Sequence, residues 1–178
     1  MKKIIICTLA VLLICGCFVG TTIAWLMAET DPVTNTFTAG DIDIELTETT
    51  GTEYKMVPGS TITKDPKVTV MAGSEKCYLF VKIEKGNNFD TYMTFTLADG
   101  WTELESGVYY RVVEASDADQ TFEVLAGNAV TVKDEMTKEQ AEAANAAKPT
   151  LAFKAYAVQK DNVDDAATAW GHIPDASK

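Results

Sequence analysis

The chain has 178 residues, of which 26 are acidic and 15 basic, giving a formal net charge of −11 at pH 7. That balance argues against nucleic acid as a partner and against unaided adhesion to anionic lipid. The length is one domain's worth and permits a real hydrophobic core, while a single histidine, His172, excludes any helical H-E-x-x-H zinc site, which needs two.

Met1-Lys2-Lys3 precedes an apolar run over residues 4–20 in which Thr8 is the only polar side chain. This is the order of a secretory signal, a basic n-region followed by an apolar h-region. Thr22 and Ala24 supply small residues at the minus-three and minus-one positions, which predicts cleavage between Ala24 and Trp25. The chain then divides into a signal helix over 1–24 and a single domain over 25–178. Two other fates stay open. Residues 4–28 are long enough to span a bilayer as an uncleaved anchor, the one membrane attachment expected, and the ICGC sequence at 14–17 resembles a lipoprotein box with Cys17 as the acylated residue. Loss of the leader removes Lys2 and Lys3, leaving 13 basic against 26 acidic residues and a net charge of −13. It also removes Cys7, Cys15 and Cys17, so Cys77 stands alone and no intrachain disulfide can form. A lone cysteine in KCYLFVKIE reads as a small buried strand residue.

The stretch TNTFTAGDIDIELTE, residues 34–48, alternates with a period of two. Ile42, Ile44 and Leu46 fall on one face and Asp41, Asp43 and Glu45 on the other, the pattern of a half-buried strand. An aspartate in place of Ile44 would put an unpaired charge in the core and unfold the domain. The three carboxylates could hold Ca²⁺ only with oxygens from a second segment, because alternate strand residues stand about 6.6–6.8 Å apart; a solvated outer face is the preferred reading.

Turn signals at Pro58-Gly59 and Asp65-Pro66 break the polar segment that follows, and a short strand is expected over 68–71. Residues 77–84, rich in β-branched and aromatic side chains, predict a central strand. Four more strands are expected over 92–98, 108–114, 121–125 and 129–133, with Trp101 in a turn, folding back onto the sheet. Many short strands with regular turn signals imply two packed sheets or a barrel.

The pattern changes at TKEQAEAANAAK, where Thr137 and Gln140 form a capping-box pair ahead of an alanine-rich surface helix that Pro149 ends. Residues 150–159 resume as a strand. Val163, Ala166, Ala167 and Trp170 then recur at helical spacing behind Asn162 as N-cap. The expected core contains Ile42, Ile44, Leu46, Leu79, Val81, Ile83, Phe153 and Trp170.

Catalytic chemistry finds no foothold in this pattern. Ser60, Ser74, Ser106, Ser116 and Ser177 lack a G-x-S-x-G setting, any triad would have to recruit His172, which reads as a solvated loop residue, and no glycine-rich loop cradles phosphate. No cofactor is expected.

Taken in order, GTTIAW, VTNTFTAGDIDIELTE, VPGSTITKDPKVTV, YLFVKIE and the late AYAVQ and AW resemble the TasA/camelysin family of Gram-positive surface proteins, from about residue 20 to residue 170. The resemblance implies an all-β, antiparallel jelly-roll-like β-sandwich with peripheral α-helices, export through a SipW-type signal peptidase, and self-association into extracellular fibres of the biofilm matrix. Some family members carry a metallopeptidase label, and a camelysin-like peptidase or a non-polymerising membrane-anchored surface protein are the alternatives. Within the fibre reading, Thr34, Thr36, Phe37, Thr38 and Ala39 are the candidate donor strand, released for pairing with a neighbour when the chain is cut between Ala24 and Trp25.

Overall fold

The computed structural model describes residues 41–51, 53–86, 88–135 and 137–174. The cleavage site at Ala24 and Trp25, the signal segment, Cys17 and the candidate donor strand lie outside these residues.

In chain order the elements are β1 (Ile44–Thr47), β2 (Thr61–Thr63), β3 (Lys67–Val70), β4 (Cys77–Gly86), α1 (Phe89–Tyr92), β5 (Met93–Leu97), β6 (Thr102–Glu105), β7 (Val108–Val113), β8 (Gln120–Glu123), β9 (Leu125–Val132), α2 (Lys138–Ala147), β10 (Thr150–Gln159) and α3 (Ala166–His172). The class is all-β, and every strand pairing is antiparallel. The strand orders are β1-β3-β8, β10-β4-β7-β6 and β2-β9-β5.

The two three-stranded sheets are successive stretches of one ladder. Only Val124 separates β8 from β9, and across the gap Lys64 N–H donates to Asn128 O at 2.7 Å while Val124 N–H donates to Pro66 O at 3.0 Å. Pro66 has no N–H to offer, which suits it to this break in pairing. Against β5, the register jumps from Phe95 opposite Val130 to Leu97 opposite Leu125. The surplus residues of β9 form a bulge, with Gly127 and Asn128 at φ of 61° and 52°. Glycine and asparagine are the residues that tolerate this left-handed backbone.

Because side chains alternate across a strand, β4 feeds two cores at once. Cys77, Leu79, Val81 and Ile83 join Val68, Val70, Val113, Leu125 and Val132 in the main cluster. Tyr78 and Phe80 point the other way, where α3 lays Ala166, Ala169, Trp170 and Ile173 over the sheet. Leu79 and Phe80 are both 0% exposed, and complete burial of such side chains is worth about 1.5–3 kcal/mol each.

Several expectations need correction. Leu46 is 36% exposed and Ile42 and Ile44 are half-buried, because β1 is an edge strand with a partner on one side. Phe153 is half-buried for the same reason at the β10 edge, whereas Trp170 is buried as expected, in the second cluster. Asn162 does not cap the last helix: it adopts φ 63°, and Asp165 serves instead, its carboxylate accepting from Thr168 N–H at 2.7 Å. His172 sits in the last turn of α3, exposed, and not in a loop. Strands β2 and β6 and helix α1 lie in segments read as loop or strand flank. The Thr137–Gln140 capping box is formed as expected, with both reciprocal hydrogen bonds present.

Candidate functional site

The isolated chemical groups are dispersed. Asp41, Asp43 and Glu45 are all exposed. Asp41 spends Oδ1 on Ile42 N–H at 2.9 Å, and among the described residues no three His, Cys, Asp or Glu side chains gather closely enough to hold a metal ion. Cys77 is fully buried on β4, and burial pushes its thiol up to about 11. Trp101 folds back as expected: its indole N–H donates to Glu123 O at 2.8 Å, and it packs against the main cluster.

What the elements do bring together is a sheet edge left unpaired among the described residues and a groove beside it. β10 is ten residues long and ends its sheet; among the described residues no strand pairs with its outer side. Lys154 is its one charged side chain, held toward Glu84 at 3.3 Å. Edges this long and this sparsely charged invite pairing with another strand.

The groove, about 790 Å³, opens at the start of β10 beside Leu151 and continues over Met56, Ile62, Phe89 and Val130. Its outer lip is the segment that follows β1, gripped by two consecutive residues. Lys64 is 8% exposed; its ammonium pairs with Glu48 and stands 5.3 Å from the Tyr54 ring centroid and 5.9 Å from that of Phe153. Asp65 accepts from Thr49 Oγ1 at 2.6 Å, Thr49 N–H at 2.9 Å and Thr50 N–H at 3.1 Å. The Thr49 bonds, with help from Thr50, hold its carboxyl down at about 2. Lys55, Lys64 and Lys148 line the groove along with Glu53, and Glu48 neutralises Lys64.

Sequence reading located β10 but not its place at a sheet edge, since strand order is set by tertiary pairing. It passed over Lys64 altogether; the signal available was a lysine wedged between Thr63 and the Asp65-Pro66 turn, next to a strand. No helix among the described residues is long and apolar enough to cross a membrane. The chain matches no protein-family model, no curated protein and no solved structure.

Proposed function

We propose that the protein is a secreted structural component of the cell surface or biofilm matrix that assembles into extracellular fibres, a TasA/camelysin-like protein with a jelly-roll-like β-sandwich exported through a SipW-type signal peptidase. The observation that carries this reading is the ten-residue edge of β10, with a single charged side chain and no strand partner among the described residues. A strand added there gains main-chain hydrogen bonds along its length and can seat apolar side chains in the adjoining groove.

The donor in this reading is the segment holding Thr34, Thr36, Phe37, Thr38 and Ala39 of the next subunit. Cleavage between Ala24 and Trp25 releases it from the membrane, so pairing waits on export. A head-to-tail contact of this kind does not close on itself, and repetition gives a filament. The acidic surface keeps unassembled subunits apart at low ionic strength.

The experiment is to delete residues 25–39 from the exported protein and to compare filaments by electron microscopy at matched concentration. The truncated protein should keep its fold and lose its filaments. Normal polymerisation of a folded truncation overturns the donor assignment, and absence of filaments from the intact exported protein overturns the fibre role. Mass spectrometry of the exported N-terminus, expected to begin at Trp25, distinguishes cleaved chains from anchored ones and from those acylated at Cys17.

A further inference from the structure

Arg111 is the one arginine of the chain. It projects from β7 on the side of the main cluster, level with Leu79 of β4. Its guanidinium carbon stands 3.9 Å from the centroid of Phe122 and 5.3 Å from that of Trp101. Gly100 makes room for it: a Cβ at that position would lie 2.8 Å from Nη2.

The cation has its stacking partners but no ion-pair partner among the described residues. Among the described residues Arg111 makes no ion pair or hydrogen bond, and its buried Nε has no acceptor. Burial without a compensating charge pushes its pKa down, although a guanidinium stays protonated. A buried Nε–H without an acceptor is costly, and a second group that supplies acceptors relieves that cost.

Space for such a group exists. A cavity of about 410 Å³ is lined by Arg111, Phe122, Thr121, Asp99, Glu123 and the Ala126-Gly127 bulge. The bulge of β9 forms one wall, steadied where Asn128 Nδ2 donates to Glu123 Oε1 at 3.1 Å.

We propose that this cavity is a carboxylate-binding site in which Arg111 is the anchoring cation. A guanidinium presents a planar fork of donors that matches a carboxylate two bonds at a time, and the aromatic rings of Phe122 and Trp101 hold that plane fixed before the ligand arrives. Asp99 and Glu123 set the selectivity. With two carboxylates among the lining residues, a dianion such as phosphate meets repulsion, whereas a carboxylate carried on the same molecule as an ammonium group is accommodated at both ends. The shared chemistry has two sources, a free amino acid or a charged segment of a second copy of this chain. The site is independent of the β10 edge and of the fibre reading.

A single arginine gives a single side-chain Nε–H resonance in ¹⁵N-labelled protein, which makes the test direct. Glycine, acetate and inorganic phosphate are titrated separately at constant ionic strength. A saturable shift of the Arg111 Nε–H signal with glycine is expected, with phosphate binding at least about tenfold more weakly. Arg111→Lys, which keeps the charge and loses the fork, should weaken glycine binding roughly tenfold, read from the Thr121 and Gly127 amides. Glu123→Gln should tighten acetate binding by removing a repelling charge. A shift that grows with protein concentration in the absence of additive assigns the ligand to a second copy; a shift seen only with added glycine assigns it to a free molecule. An unsaturable response equal for every anion, or phosphate binding as tightly as glycine, overturns the proposal. Should Arg111→Lys fail to fold, the wild-type titrations decide alone.

Discussion

Trp170 Nε1 donates to Glu105 Oε1 at 2.8 Å, tying the last helix to the edge strand β6. The same indole lies 5.3 Å from the Phe80 ring and 5.5 Å from the Tyr156 ring, centroid to centroid. Helix α3 has seven residues, too few to be stable without tertiary contacts, so this one side chain holds much of it in place. Trp170→Ala should cost about 3–5 kcal/mol, read as a drop in the urea midpoint. Glu105→Ala should cost about 1 kcal/mol. An unchanged midpoint for Trp170→Ala would show that α3 does not contribute to the cooperative unit.

Cys77 should be invisible to thiol reagents in the folded protein. Its side chain is 0% exposed and its thiol is raised to about 11, so at pH 8 neither access nor thiolate is on offer. Iodoacetamide should modify it only in denaturant. Labelling of native protein at the unfolded rate would contradict the placement of β4.

Asp65 predicts a particular acid response. Its folded carboxyl titrates near 2 against an ordinary value of 3.8, and a depressed carboxyl stabilises the fold in its ionised form. That contribution is complete above pH 3.8, and it fades as pH falls toward about 2. Asp65→Asn should flatten the stability profile in this window, and the carboxyl carbon shift in NMR should show the low midpoint directly. A midpoint near 4 would mean that Thr49 and Thr50 do not bond to it in solution.

Ile44 and Val81 make an informative pair. Val81 is 0% exposed, so Val81→Asp buries an unpaired charge at a cost of several kcal/mol and should abolish folding. Ile44 is half-buried on an edge strand, where a carboxylate can turn to water. Ile44→Asp should therefore lower the melting temperature while leaving a folded protein, and an equal loss from both would place β1 deeper in the core.

Much of the strand pattern was legible because burial on one face or two leaves a periodic trace. The bounds of β10, 150–159, follow from the sequence without adjustment, as does the capping box that precedes α2. Strand β6 escaped because TELE carries two glutamates and little β-propensity; only its pairing with β7 makes it a strand. Strand β2 is three residues inside a polar stretch, too short for periodicity to register. Helix α1 is only four residues long and is preceded by Asn88, whose φ of 62° reads equally well as a turn. The Arg111 cavity could not have been read at all, since its walls come from β7, β8, the turn after β5 and the bulge of β9. The one hint was that a single arginine stood among fourteen lysines.

The double burial of β4 also sets a timescale. This strand is laddered to β10 over ten residue pairs and to β7 over six, and a hydrophobic layer covers each of its faces. No local fraying exposes its amides from 78 to 82; solvent reaches them only when both neighbours and both layers give way together. Their deuterium uptake should therefore run at the rate of whole-molecule opening, and these few amides should keep their protons after the rest of the chain has exchanged.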